Sequence, residues 1–333
     1  HQLMANKLMQ LKTSGKKVFV VPGNHDIYNP DAKDYSSSPA KATAQTSPDE
    51  FRKIYKDFGY GDAIYTDSNS LSYIAEPVNG VWLFAIDSCQ YTSASTAPIT
   101  AGKIGSATQA WIVSKLQEAQ QKGKQVIGMM HHGIVEHYTG QATAFPEYVI
   151  SNNAAIGKQL ADNGLNVMFT GHYHANDVAS TNFTSSTLYD VETGSTVTAP
   201  SPYRVIDFNI TGKQLAITSR AVGKTTSHPT DFVSYARNYL VDGMTTLTKI
   251  QLASPPYNLD AKTAAGLAPM VANAFAAHYA GDEKLADTTT IATLQSMLAS
   301  SNAGTKTLGQ SIYSLWTDTG PADNTVTLSL GTK

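Results

Sequence analysis

Three short apolar runs of this chain each end in side chains that can bind a metal ion. The three motifs that follow these runs are Gly23-Asn24-His25-Asp26, His131-His132-Gly133 and Gly171-His172-Tyr173-His174. Amide oxygens, imidazoles and carboxylates suit borderline and hard divalent metals. The motifs hold five of the nine histidines of the chain. Their types and order predict one metal site assembled from three loops.

The apolar runs before these motifs are the elements that must position them. We predict strands over residues 17–21, 125–130 and 166–170, each ending where a motif begins. Open α/β sheets bind ligands at the carboxyl ends of their strands, so the three motifs are expected at one sheet edge. Gly23 and Gly171 suit a sharp turn and a close approach of the backbone to the site.

The side chains also suit phosphoester chemistry. Two metal ions about 3.5–4 Å apart can bind phosphate oxygens and generate a hydroxide nucleophile. An acid beside the leaving oxygen helps the bond to break. The chain offers ligands and an acid for this purpose: Asn24, His131, His172 and His174 as ligands, and His25 as the acid. Each motif alone has a structural alternative, namely a turn, a cap or a surface histidine.

Composition narrows the class of protein. The chain has 333 residues, 41% of them hydrophobic and 15% charged, with a formal net charge of -2. This balance allows a packed core and gives no electrostatic footprint for nucleic acid or an anionic membrane. The single cysteine, Cys89, excludes a disulfide within the chain and a thiolate metal site. The sequence contains no stretch of about 18 consecutive apolar residues, so we predict no transmembrane helix.

Hydrophobic patterning predicts two regions. Residues 1–226 alternate helices and strands: helices at 2–14, 48–58, 106–121 and 153–163, a hairpin of 71–75 and 81–86 around Asn79-Gly80, and late strands at 188–191, 203–209 and 214–219. Residues 227–333 read as four helices, at 230–252, 263–280, 288–300 and 307–316, followed by a strand-like run at 325–330. That last run either pairs back or forms a tail.

The three motifs resemble the last three signature blocks of the calcineurin-like metallophosphoesterases, over about residues 1–224. The resemblance implies an α/β fold, a four-layer α/β/β/α sandwich that is N-terminally incomplete here, followed by a C-terminal helical domain. It implies that Asn24, His131 and His172 bind one metal and that His174 binds the other. It also implies that His25 protonates the departing oxygen and that Asp26 orients His25. His132 is then a supporting or a substrate contact.

Further features resemble the bacterial cyclic-nucleotide phosphodiesterase branch of that family. They are the long loop over residues 28–50, the stretch Glu192-Thr193-Gly194-Ser195 with Pro202-Tyr203-Arg204, and the helical region, which is a lid in that branch. The implied function is metal-dependent hydrolysis of phosphodiesters such as cyclic nucleotides. The alternatives are a phosphomonoesterase, a nucleotide pyrophosphatase and a non-catalytic metal-binding remnant. His132, Tyr203 and Arg204 are the substrate-side candidates, and a structural ion pair for Arg204 is equally consistent with the sequence.

The chain departs from the family pattern before Asn24. No Asp-x-His tripeptide and no Gly-Asp block precede Asn24, although the family draws ligands and the bridging carboxylate from those blocks. We therefore expect a fragment, a truncated product, or a site completed from elsewhere. The full enzyme would use two ions of the Mn, Fe, Zn or Ni class, and for this chain alone we expect only one. We also expect an unpaired sheet edge and an uncovered apolar surface.

The remaining expectations concern a loop histidine, the location of the protein and its substrate. His137, six residues after His131, is expected to be a surface histidine. A polar, low-charge surface and one cysteine fit an exported bacterial protein, and the substrate is expected to be a small phosphoester or nucleotide. The oligomeric state stays open.

Overall fold

The computed structural model describes residues 1–255, 257–281, 283–317 and 320–330. Residues 256, 282, 318, 319 and 331–333, which belong to the predicted helical domain, lie outside the described residues.

A mixed sheet forms the centre of the molecule. Two short strands of the long loop, β1 (Lys33–Asp34) and β2 (Lys41–Ala42), pair only with each other. The strands of the central sheet are β3 (Tyr65–Thr66), β4 (Tyr73–Val78), β5 (Val81–Ala85), β6 (Gln125–Met129), β7 (Val167–Thr170), β8 (Val178–Asn182) and β9 (Thr187–Glu192). Their spatial order is β3-β4-β5-β6-β7-β9-β8. The four strands from β5 to β9 in this order are parallel, so the loops after β6 and β7 open at the same edge.

Helices and a second sheet cover the two faces of the central sheet. The first helices are α1 (Gln2–Thr13), α2 (Pro48–Ile54), α3 (Ser106–Gln121), α4 (Gln141–Ala144) and α5 (Asn153–Asp162). On one face Ile112 and Leu116 of α3 and Leu160 of α5 pack against Phe84 and Met168. On the other face lie α1, α2 and the smaller sheet of β10 (Pro202–Asn209), β11 (Gln214–Ala221) and β12 (Thr325–Ser329).

The final part of the chain is mostly helical. Its helices are α6 (Phe232–Ala253), α7 (Ala261–His278), α8 (Thr288–Leu298) and α9 (Ala303–Ser314). Asp260, Asp287 and Asn302 accept backbone N–H groups at the starts of α7, α8 and α9, which satisfies donors that a helix leaves unbonded. The helices share a core with Tyr138 and Tyr173 from loops of the central sheet. Together with the two sheets, this confirms the predicted fold class.

The run 325–330 does pair back, because β12 joins β11 with Leu215 opposite Leu328. The proposed division at residue 226 stays a prediction. Among the described residues, no helix is both long enough and apolar enough to span a bilayer.

The predicted strand at 17–21 is wrong in the structure. This segment is extended and partly buried, yet no strand pairs with it among the described residues. Val20 instead donates its N–H to Phe58 O at 3.1 Å, and its carbonyl accepts the Tyr73 hydroxyl at 2.9 Å. A tyrosine side chain and a loop carbonyl thus supply the bonds that a neighbouring strand would have supplied.

Part of the apolar surface of α1 is exposed. In α1 only Ala5 is buried, while Leu3 is 82% and Met4 56% exposed. The central strand β6 is also only partly buried at Ile127 and Met129.

Candidate metal centre

Three of the predicted ligands meet at the carboxyl ends of β6 and β7. His131 follows β6, His172 follows β7, and the two strands are adjacent and parallel. The rings of His131 and His172 lie 4.5 Å apart between centroids. Asn24 joins them from the loop after residues 17–21, and its Oδ1 lies 2.8 Å from His131 Nε2. Two atoms this close can bond one ion.

The His172 ring is held with one nitrogen free. The Tyr148 ring packs on it at 4.6 Å, and the nearby backbone carbonyl of Glu147 partly opposes the lowering of the His172 pKa. Nε2 is buried and has no hydrogen-bond partner among the described residues. The unsatisfied Nε2 therefore fits a metal ligand.

The loop after β7 has an unusual backbone. His172 and His174 have φ values of 75° and 69°, in the left-handed region that non-glycine residues seldom adopt. Tyr173 between them is buried, and its hydroxyl lies 3.0 Å from that of Tyr138. Such strained residues concentrate at functional sites. His174 is exposed, and its Nδ1 lies 3.0 Å from Thr198 Oγ1.

Burial keeps these imidazoles neutral. Loss of water, helped by the neighbouring imidazoles, lowers the pKa of His131 to about 3 and that of His172 to about 2. Burial also lowers the pKa of His174. A neutral imidazole has a lone pair to share, so near pH 7 the site competes little with protons for a metal.

His132 supports the site from behind. Its side chain is fully buried, with Nδ1 2.8 Å from Ser88 Oγ and Nε2 2.9 Å from Thr100 O. Its ring centroid is 4.9 Å from that of His131 and 4.5 Å from that of His172. Because both nitrogens are occupied, this arrangement favours a supporting role for His132 over direct contact with substrate.

The predicted acid lies at the rim. His25 is exposed beside the buried Asn24. The Asp26 carboxylate accepts the Gly23 N–H at 2.7 Å and lies 3.8 Å from His1 Nδ1. Within the described part of the chain, no hydrogen bond joins Asp26 to the His25 ring. Asp26 therefore closes the turn of the loop, and its orientation of His25 stays a prediction.

The predicted substrate-side pair lies on β10. Tyr203 is 45% exposed. Arg204 donates to the backbone carbonyls of Glu192 at 2.6 Å and Asp177 at 3.2 Å, and to Ser219 Oγ at 3.0 Å. These bonds engage the guanidinium within the fold, which favours a structural role for Arg204.

Several supporting groups escaped the sequence analysis. Ser88 carried a weak signal, since it ends an apolar strand as the motifs do, whereas the carbonyl of Thr100 carried none. The surface position expected for His137 is wrong. This histidine is buried, and its Nδ1 lies 2.6 Å from Asp177 Oδ1 because the loop after β6 turns inward under the helical region.

The site also lacks a feature of a dinuclear centre. The ring nitrogens of His131, His132 and His172 converge, and among the residues that the structure describes no carboxylate joins that group. This agrees with the missing bridging aspartate.

Comparisons with known proteins were made for the whole chain. A family model described as calcineurin-like phosphoesterase matches residues 1–176. Among solved structures the chain is similar to a dimetal phosphatase from Danio rerio, at 12% identity and a TM-score of 0.45, covering 64% of this chain and 72% of that one. A comparison with curated protein sequences gave no match.

Proposed function

This chain belongs to the calcineurin-like phosphoesterase family, and from that premise we propose that it hydrolyses phosphodiesters, with cyclic nucleotides as the substrate class. Membership supports metal-dependent hydrolysis of phosphoesters. The observation that carries the proposal is the meeting of Asn24, His131 and His172 at one sheet edge, with His172 Nε2 buried and without a hydrogen-bond partner among the described residues.

We assign Asn24, His131 and His172 to one metal ion and His174 to a second. A bound divalent ion would neutralise phosphate charge and lower the pKa of a nucleophilic water. The protein's own contribution is to keep the ligands neutral and fixed. Burial lowers the pKa of His131 and His172, and Ser88 holds His132 against both rings.

His25 is proposed to donate a proton to the departing oxygen. Its exposed position next to the buried Asn24 supports this role, because the acid must face the leaving group while the ligand faces inward. The bond from Gly23 N–H to Asp26 fixes the loop that carries His25. Tyr203, which is half exposed, is the better substrate contact of the β10 pair. A lid role for α6–α9 stays a proposal.

The substrate class is tested by comparing kcat/KM for several esters. The longest naturally encoded form of the protein, reconstituted with Mn²⁺ or Zn²⁺, is assayed against bis-p-nitrophenyl phosphate, p-nitrophenyl phosphate and cyclic nucleotides. We expect higher kcat/KM for the diesters. Faster turnover of the monoester would replace the proposal with a phosphomonoesterase, and preference for a nucleotide pyrophosphate would point to a pyrophosphatase.

The role of His25 is tested by His25→Ala in the same protein, with His228→Ala as the control at a histidine far along the sequence. General acid catalysis contributes about 10²–10⁴-fold, so a loss of that size in kcat is expected with metal content retained. Unchanged turnover in His25→Ala would remove this residue from the mechanism.

The second candidate is a binding module that keeps one metal and no turnover. The absence of a carboxylate from the described histidine group favours it for residues 1–333 alone. We therefore expect these residues to bind one ion at the centre and to turn over diesters weakly or not at all. Metal analysis with a turnover assay decides, and full turnover with two ions at the centre would contradict this expectation.

A further inference from the structure

A second group of ligand side chains lies away from the proposed centre, between the central sheet and the helices. It consists of Asp177, His278 and Glu283, whose side chains are only 4%, 2% and 1% exposed. Asp177 directly precedes β8, His278 is the last residue of α7, and Glu283 lies in the loop that follows α7. The group therefore joins the helical region to the sheet.

Ligand-type atoms of the three residues lie close together, and the shortest contact among them is a hydrogen bond. Nδ1 of His278 lies 2.6 Å from Glu283 Oε1 and 3.6 Å from Asp177 Oδ2. One ligand atom from each residue falls within 4.8 Å of the others. Neighbouring ligands of a tetrahedral ion with bonds of about 2.0–2.1 Å lie about 3.4 Å apart. Small rotations of the two carboxylates would bring all three atoms to that spacing.

Asp177 is held in place for such a role by His137. Its Oδ1 is bonded to His137 Nδ1 at 2.6 Å, while Oδ2 faces His278. A ligand carboxylate whose second oxygen is bonded to a buried neighbour is typical of metal sites.

The polar atoms of the group are incompletely satisfied. Glu283 Oε2 and His278 Nε2 are buried and have no hydrogen-bond partner among the described residues. Two more buried carboxylates, Asp190 and Glu192, lie 3.5 and 3.7 Å from His137 Nε2. The Arg204 guanidinium also lies nearby, and it donates to the backbone carbonyls of Asp177 and Glu192. Buried charges are normally paired or bound to a metal. His137 forms an ion pair with Asp177 and lies close to Asp190 and Glu192, whereas Glu283 Oε2 has no hydrogen-bond partner among the described residues.

We propose that Asp177, His278 and Glu283 bind one divalent cation of the Zn²⁺ or Mn²⁺ class. One imidazole and two carboxylates suit these ions. The ion fastens the end of α7 to the start of β8, and it is separate from the centre at His131 and His172. It balances the charge of the two buried ligand carboxylates, those of Asp177 and Glu283.

The test disables the centre at His131 and His172, so that only the proposed site of Asp177, His278 and Glu283 can bind a metal ion. The double variant His131→Ala/His172→Ala is dialysed against Zn²⁺, and in parallel against Mn²⁺, and its metal content is measured. We expect about one equivalent that resists a second dialysis. Adding Glu283→Gln should reduce this to less than about a fifth of an equivalent. Glu76→Gln, which changes a carboxylate paired with Lys124 at 2.6 Å, is the matched control and should keep the ion.

Thermal unfolding gives an independent reading. Zn²⁺ should raise the Tm of the double variant and leave that of the Glu283→Gln form unchanged. If Glu283→Gln does not fold, His278→Gln takes its place with the same expected loss. A double variant that retains no metal, or a Glu283→Gln form that retains a full equivalent, would overturn the proposal. Either result leaves the proposed hydrolytic function untouched, because that function rests on the other centre.

Discussion

The support behind the histidine cluster can be tested at Gly102. A Cβ at this position would lie 2.5 Å from His132 Cγ and 2.8 Å from its Nδ1 and Cδ2, which real contacts do not allow. The ring cannot swing away freely, because Ser88 and the Thr100 carbonyl bond its two nitrogens. Nor can the loop move easily, since Gly102 O accepts the Ser151 N–H at 2.9 Å.

The magnitude follows from these contacts. Forcing one methyl group into a packed site costs about 1–3 kcal/mol. Displacing the His132 ring also sacrifices a buried hydrogen bond worth about 1 kcal/mol. Gly102→Ala should therefore lower the free energy of unfolding by about 2–4 kcal/mol. Gly223→Ala is the control, because a Cβ there meets nothing within 4 Å, and it should have little effect or stabilise slightly.

The measurement is urea unfolding of metal-free protein, carried out as a double-mutant cycle. His132→Ala removes the ring that the new methyl group would strike. In that background Gly102→Ala should cost less than about 0.5 kcal/mol, so the two substitutions are strongly non-additive. An equal cost in both backgrounds would refute the reasoning, since the loss would then come from the backbone and not from the ring.

Three further outcomes are expected. Ser88→Ala removes the hydroxyl from His132 Nδ1, so we expect a loss of about 1–3 kcal/mol in urea unfolding and weaker metal binding by titration; full metal affinity would contradict the supporting role. Metal-free protein should lose stability as the pH falls from about 6.5 towards 3, by at most about 1.4 kcal/mol per pH unit for each of His131 and His172. The reason is that these histidines bind protons in the unfolded chain but stay neutral when they are buried in the folded protein. The variant His131→Asn/His172→Asn should show a shallower dependence of stability on pH. Burial raises the pKa of Glu192 to about 8, so the folded protein keeps a proton on this carboxyl that the unfolded chain releases above about pH 4.5. Glu192→Gln should therefore gain stability relative to the parent protein as the pH rises from 5 to 8. Parallel pH profiles of stability for the two proteins would show that Glu192 is ionised in the folded protein.

The sequence was most informative where local pattern and tertiary structure agree. The Asn79-Gly80 turn joins β4 and β5 as predicted, and Gly80 has the positive φ of 89° that such a turn needs. The helix over 106–121 was confirmed because its apolar spacing matches the face that Ile112 and Leu116 bury. The meeting of His131 and His172 followed from two apolar strands that run parallel and end together.

Other features depend on contacts that no local pattern carries. Residues 17–21 have the composition of a strand, but pairing requires a neighbour, and here Tyr73 and Phe58 provide the hydrogen bonds. His137 lies in a loop that reads as surface, and the packing of the helical region, distant in sequence, buries it. The carbonyl of Thr100 bonds His132 through a backbone atom, so the side-chain identity of residue 100 says nothing of that role.

The pairing of β12 with β11 has a mechanical consequence. The chain leaves the small sheet after Ala221 and re-enters it at Thr325, and Ser219 N–H bonds Asn324 O at 2.7 Å where the two paths come together. The helices between β11 and β12 are thus connected at both ends to the same pair of strands. A displacement of these helices would strain both connecting segments at once, the one after Ala221 and the one before Thr325. Force applied to the helices passes into β11, the strand between β10 and β12, and from there into the sandwich.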